Sequence, residues 1–313
     1  MTASVAEADK VELMNRTDLL RGTFYGITAA SIWGGMYVVS DVVLTVIPPF
    51  TLLSLRILLG LLALWPIFRR AGLSLPAPLV IRELLIVGLI GLGLSLGTQF
   101  LGTDLSTAVN GALVTSASPA LVVLFAALLL KEKLTSRRAL ALVLASAGLL
   151  VILDPTSANF GGETFLGDVF LALSALTWGL YSVLVRRVSI RHRLHTLTIT
   201  LVGLLGGLAL SLPASIVELS TRPIGPLDAG ALLGVAYLGI VSTALALLLW
   251  NRAFALVPAT VASLFFFAQP VSGALLAAIF LGQTLTIQLG IGGALIAAGV
   301  LLSILASSTD ANS

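Results

Sequence analysis

The sequence predicts an all-α integral membrane protein, with ten transmembrane helices in two inverted five-helix repeats and both termini cytoplasmic. Three observations carry that expectation: hydropathy, the side on which basic residues fall, and an internal duplication. Of 313 residues, 58% are hydrophobic and only 10% are charged, and the mean hydropathy is +1.10. A soluble chain has roughly a quarter of its residues charged. Uncharged runs of about 20 residues recur along the chain, each long enough to cross about 30 Å of hydrocarbon. Their period is helical, not the alternation of an outer-membrane barrel.

Cutting the apolar runs at charges, prolines and glycines places spans at about 22–40, 49–68, 81–101, 107–130, 136–153, 167–185, 194–217, 229–250, 258–280 and 286–306. This divides the chain into a cytoplasmic tail (1–21), a first repeat (22–153), an outer linker (154–166), a second repeat (167–306) and a cytoplasmic tail (307–313). Residues 1–20 mix Glu7, Asp9, Lys10, Glu12, Arg16 and Asp18, which reads as a solvated tail and not as a cleavable signal. With no cysteines, disulfides and thiolate-ligated metals are excluded. The pI near 9.6 reflects membrane topology rather than nucleic-acid binding, because the basic residues fall in short connections between apolar spans.

The charges orient the spans. Lys10, Arg16 and Arg21 precede the first. Arg69, Arg70 and Arg82 flank the second connection, and Lys131, Lys133, Arg137 and Arg138 follow the fourth span. Arg186, Arg187, Arg191 and Arg193 follow the sixth, and Arg252 the eighth, so 15 of the 17 basic residues share one side. Only Arg222 lies on the other, while Arg56 lies within a span. A bias this lopsided puts that side, and both termini, in the cytoplasm.

The duplication lies in the motifs. Gly22, Ala30, Trp33 and Gly34 match Gly167, Ala175, Trp178 and Gly179 at a constant offset of 145. SPALVVLFAALLLKEKLT (118–135) aligns with QPVSGALLAAIFLGQTLT (269–286), pairing Pro119 with Pro270. Five helices per half is an odd number, so the halves face opposite ways, as in many secondary transporters. Arg56 has no such counterpart, since the same offset places Leu201 opposite it.

These features resemble the EamA-type members of the drug/metabolite transporter superfamily: the duplicated Trp-Gly pattern, the Ser-Pro and Gln-Pro segments followed by KEKLT and GQTLT, and Arg56 in SLRILLG. The resemblance covers nearly the whole chain. It implies a secondary carrier working by alternating access, often an exporter, and is greatest to the bacterial amino-acid exporters of that family. The location it implies is a bacterial inner membrane.

No catalytic constellation is visible, so the chain is not read as an enzyme. His192 and His195 sit in an Arg-rich loop with no neighbouring carboxylate, a poor metal site, and no cofactor is expected. The acidic residues fall in loops, tails or helix ends, with none at mid-depth where a proton-coupled carrier would keep one. Polar and aromatic groups inside the spans are the candidate substrate contacts. Arg56, about 10 Å below the outer surface at 1.5 Å per residue, could snorkel outward, clamp a helix carbonyl or meet a substrate carboxylate. Gln99, Asn110, Ser118 and Gln269 must find partners away from lipid. Trp33 and Trp178 lie too deep for an interfacial belt, whereas Trp65 and Trp250 fit one, and Tyr37 and Tyr181 accompany the deep pair. Pro119 and Pro270 are the expected kinks and hinges, with Ser118 and Gln269 beside them to satisfy freed backbone groups.

A neutral, aromatic-walled cavity suits zwitterionic or neutral metabolites, above all amino acids including aromatic ones, with neutral drugs or polyols as the alternative. A channel is the rival of another class. It would need a continuous polar stripe and a ring of subunits, whereas two halves in one chain suffice for a carrier. Substrate and lipid are the expected partners. Small residues on the fifth and tenth spans (Ala139, Ala147, Gly148; Gly290, Ala294, Ala298) could serve packing within the chain or a homodimer seam.

Overall fold

The structure is a computed structural model that describes residues 16–106, 110, 114–153, 156, 162–281 and 287–310. Helices are named α1 (Arg16–Leu44), α2 (Pro49–Arg70), α3 (Pro78–Leu105), α4 (Ser118–Leu130), α5 (Ser136–Leu153), α6 (Phe165–His192), α7 (Thr196–Leu219), α8 (Ala229–Leu256), α9 (Ala259–Leu276, its last turn reaching Leu281) and α10 (Ile287–Asp310). Among the described residues there is no strand, and eight helices, all but α1 and α4, are long and apolar enough to cross a membrane. The protein is a multi-pass helical membrane protein.

Several helices outrun the apolar stretches that predict them. α1 begins at Arg16, inside the expected tail, with Asp18 in its first turn facing the positive end of the helix dipole. α6 continues to His192 and α8 to Leu256, because arginines near a membrane face can extend their heads to water while the backbone stays helical.

The two Trp-Gly pairs mark where the halves of the chain cross. A Cβ on Gly34 would lie 2.2 Å from Ser272 Oγ and 2.6 Å from the Gln269 carbonyl, so only glycine lets α1 lie against α9. On Gly179 it would meet Leu121 and Val122 at 3.0–3.2 Å, placing α6 against α4. Each first-of-half helix thus packs on the proline-bearing helix of the other half. α5 and α10 pair with each other through Gly148 against Gly292 and Gly299 against Ala141 and Ala145. The small-residue face of α5 is therefore Ala141, Ala145 and Gly148 rather than the expected Ala139 and Ala147; Ala147 is exposed.

The two prolines sit differently in their helices. The chain turns at Ser116 and Ala117, and Pro119 stands in the first turn of the helix that restarts at Ser118. Pro270 lies inside α9, three residues past a tightened 3-10 stretch at Ser263–Phe267 through which the helix runs on. Pro119 therefore forfeits no hydrogen bond, since a first-turn N–H has no intrahelical partner, whereas Pro270 lacks a donor inside a helix that is already wound ahead of it. α3 and α8 also change pitch, with wide π-helical stretches at Leu89–Ser95 and Tyr237–Leu245. Such stretches are frequent at functional sites.

Candidate functional site

A chamber opens at the centre of the bundle, walled by seven helices. α1 contributes Trp33 and Met36, α2 Arg56, and α3 Ser95, Leu96 and Gln99. Thr115 and Ser118 come from the break at the head of α4, and Ser174 and Trp178 from α6. Ser242, Thr243 and Leu247 of α8 and Phe266 and Gln269 of α9 complete the wall. The chamber is only partly enclosed, part of its space being continuous with the exterior. The π-helical stretches of α3 and α8 set Ser95, Ser242 and Thr243 into this wall.

Arg56 is 3% exposed and does not snorkel. Its Nε donates to Thr243 Oγ1 at 3.2 Å, and Nη2 lies 3.1 Å from Met36 Sδ and 3.4 Å from Ser242 Oγ. The guanidinium also stands 6.0 Å from the centre of the Phe100 ring, a cation–π distance.

Three tryptophans meet at one side of the chamber. Trp33 lies 5.3 Å from Trp178 and 5.1 Å from Trp250, ring centre to ring centre. Trp250 is 1% exposed, which overturns its expected place in an interfacial belt. α8 continues six residues beyond it, so Trp250 lies inside the bundle rather than at a helix end. Trp65, by contrast, is half exposed and stacks on Phe68 with Arg69 over its face.

Tyr181 and Asn110 do not line the chamber. Tyr181 is packed over Gly91, and its hydroxyl donates to Asn251 Oδ1 at 3.1 Å; Asn251 Nδ2 donates in turn to Thr200 Oγ1 at 3.0 Å. Asn110 Nδ2 donates to Asp168 Oδ1 at 3.0 Å, beside Ser106 Oγ at 2.5 Å, and so ties helix ends together. The Tyr37 side chain lies outside the described residues. Of the candidate contacts, Trp33, Arg56, Gln99, Ser118, Trp178 and Gln269 come together in the chamber. The histidines also differ from expectation. His192 Nε2 lies 2.9 Å from Glu83 Oε2, and His195 Nδ1 accepts from the Leu197 N–H at the start of α7.

Two chamber residues keep a buried polar atom with no hydrogen-bond partner among the described residues: the Trp178 indole N–H and Gln269 Oε1. Either orientation of the Gln269 amide leaves one polar atom there. The other two buried tryptophans are satisfied, Trp33 Nε1 by the Ser242 carbonyl at 2.9 Å and Trp250 Nε1 by Ser182 Oγ at 3.4 Å. Leaving a buried donor or acceptor unmade costs about 1–3 kcal/mol. Both residues line the chamber, and the unmet donor and acceptor form a polar pair that a ligand would complete once the wall shifts to expose them.

Sequence reasoning missed the serines and threonines of the wall (Ser95, Thr115, Ser174, Ser242, Thr243), Met36, and the Asn251 network. The hydroxyls were hard to single out, since spans carry many such groups bonding their own helix, as Thr98 does to the Leu94 carbonyl. Asn251, next to a deep tryptophan, was a signal that the neighbouring Arg252 masked.

A multi-pass bundle built around a mixed polar and aromatic chamber has the architecture of a small-molecule transporter. The sequence profile of the EamA-like transporter family matches residues 20–154 and 165–305, and the chain belongs to that family. Among its relatives, an uncharacterized transporter of Archaeoglobus fulgidus is 27% identical over 277 residues, 87% of this chain and 93% of that protein. The uncharacterized transporter YyaM of Bacillus subtilis is 30% identical over 222 residues, 69% of this chain and 71% of that one. A solved crystal structure superposes with a TM-score of 0.79 at 25% identity, covering 91% of this chain and 98% of the other.

Proposed function

We propose that this transporter carries small zwitterionic metabolites, amino acids first among them, through the central chamber of a bacterial inner membrane by alternating access. The observation that carries the reading is the composition of the chamber wall. An indole donor on Trp178, an amide acceptor on Gln269 and the Arg56 guanidinium face a lining of Trp33, Phe266, Leu96 and Leu247. A ligand with a carboxylate, an N–H donor and an apolar side chain answers each of those features. The reciprocal packing of α1 on α9 and α6 on α4 supports two five-helix repeats related by inversion, and the one-sided placement of Lys and Arg supports ten spans with both termini in the cytoplasm. The turn ahead of Pro119 and the 3-10 stretch ahead of Pro270 are the points about which the halves would flex.

The test is uptake of radiolabelled amino acids into proteoliposomes. Saturable flux that accelerates with unlabelled substrate on the far side is the expected result. Gln269→Ala and Trp178→Phe should each raise KM about tenfold, the effect of one buried hydrogen bond to a polar ligand. Flux that rises linearly with concentration would mean a channel. Saturable transport of polyols with no amino-acid flux would replace the substrate class and keep the chamber.

A further inference from the structure

One carboxylate ties together the four helices beneath the chamber at the Arg-rich end of the molecule. Glu132, just past the end of α4, accepts four hydrogen bonds. Oε1 takes the Arg186 Nε–H at 3.0 Å and the Ala259 N–H at 2.9 Å. Oε2 takes the Thr260 N–H at 3.0 Å and the Thr260 hydroxyl at 3.1 Å. Arg186, on α6, extends the tie to the end of α8 through Nη1, which donates to the Phe254 carbonyl at 2.9 Å and to the Val257 carbonyl. Both charged side chains are largely buried, at 15% and 13% exposure.

The geometry has no local explanation. α9 opens on Pro258, which supplies no side-chain cap, so its first N–H groups depend on a residue 127 positions away. Lys131, the residue before Glu132, is held at φ 55°, a left-handed conformation that side-chain-bearing residues rarely adopt. Backbone strain of this kind persists where the surroundings over-determine it. Here it turns the chain at the end of α4 so that the next carboxylate meets α9.

The tied helices are also the chamber's walls. α4 brings Ser118, α6 Trp178, α8 Thr243 and α9 Gln269. Between chamber and tie the packing is dense, with Tyr181, Trp250, Phe254, Phe265 and Phe267 all at 1% exposure or less. α4 is a short rod from Ser118 to Leu130 that follows a turn at Ser116 and Ala117, and its far end is held by Glu132.

We infer that Glu132 and Arg186 are the gating residues of the Arg-rich mouth. Their bonds to the head of α9 and the tail of α8 close that mouth, and it opens when the end of α4 parts from α9. This rests on the carrier reading above but not on the identity of the substrate. The carboxylate must leave its three donors on α9 together, so the closed mouth is a discrete state and not a gradual constriction.

The chain contains no cysteine, so single reporters can be placed without background. Ala262→Cys, fully buried between the tie and the chamber, would be labelled with a membrane-impermeant maleimide from the Arg-rich side in liposomes. Exposed Ser136→Cys at the same end reports delivery of the reagent. Glu132→Gln should raise the labelling rate at position 262 about tenfold and leave position 136 unchanged. Thr260→Val, which removes one of the four bonds and strands no charge, should raise it about threefold. Glu218→Gln, at the opposite end, should leave it unchanged. The inference is overturned if Glu132→Gln and Thr260→Val both label as the parent does, or if Glu218→Gln opens position 262 as much as Glu132→Gln. Should Glu132→Gln not yield monodisperse protein, the Thr260→Val rate decides alone. Labelling that shifts in a protein with no amino-acid flux would sink the substrate reading and leave the gate standing. Amino-acid flux with unshifted labelling would do the reverse.

Discussion

The two ends of the bundle solve the same problem with different chemistry. At the Arg-rich end Glu132 caps α9; at the other, Glu218 from the end of α7 caps α2. Both target helices open on a proline that caps nothing, Pro258 and Pro48. Both carboxylates accept from two successive backbone N–H groups and from a threonine hydroxyl. For Glu218 these are Phe50 N at 3.2 Å, Thr51 N at 2.9 Å and Thr51 Oγ1 at 2.9 Å. The difference is the fourth partner. Glu132 has a buried guanidinium that reaches two further carbonyls, while Thr51 is backed only by the Ser215 hydroxyl at 3.1 Å. A cap alone holds two helices; a cap joined to a buried charge holds four, and breaking it strands a charge. The first is suited to a permanent joint and the second to a two-state closure.

Unequal mutational effects at the two ends would sharpen that contrast. The largest loss belongs to Arg186→Ala, which leaves the Glu132 carboxylate buried beside two unmet carbonyls. It should destabilise the protein by about 3–5 kcal/mol, the range for removing one member of a buried ion pair, read from thermal unfolding in detergent. Glu132→Ala should follow at about 2–4 kcal/mol, since it removes charge-assisted bonds and leaves Arg186 without its carboxylate. Glu218→Ala should lose less, about 1–2 kcal/mol, in line with a helix cap and no buried countercharge. Equal losses for the two glutamates would break the comparison.

The threonines rank the other way. Thr51→Val deprives both Glu218 and the buried Ser215 hydroxyl of a partner, and should cost about 1–2 kcal/mol. Thr260→Val deprives Glu132 of one donor among four, and should cost about 0.5–1 kcal/mol. Smallest of all is Asp104→Asn, which removes the exposed Arg222 pair at 3.7 Å. Its effect should fall below about 0.5 kcal/mol, because exposed ion pairs are screened and contribute little.

Much of the chamber could be read from residue types. Arg56, Gln99, Ser118 and Gln269 sit in runs where lipid would leave them unsolvated, so they had to turn inward. Trp33 and Trp178 were too far into their runs for an interface. Tyr181 and Asn110 satisfied the same criteria and yet bond elsewhere, because a buried polar group needs only some partner, and Asn251 and Asp168 supply one. Trp250 was misplaced because Arg252 looked like the end of a span, whereas the arginine stands over the Tyr25 ring and α8 continues. The prolines were read as kinks because sequence shows a proline inside an apolar run. It does not show that the chain has already turned before Pro119, or that the helix has tightened to 3-10 winding before Pro270.

What the sequence determined by itself is everything that depends on contact with lipid. An unsolvated charge or open backbone is so costly in hydrocarbon that apolar run length and the placement of Lys and Arg dictate helical spans, though not where each helix ends. It also disclosed the duplication, and with it the glycines at which helices cross. What only the tertiary structure decided is which polar atoms find each other across 50 to 200 residues of chain. Glu132 and Glu218 stand at helix ends, where a solvated carboxylate is the ordinary outcome. Nothing local marks them as caps for helices 127 and 168 residues away. That pairing follows from how the helices pack, since a backbone N–H offers the same bond to any carboxylate that packing brings within 3 Å.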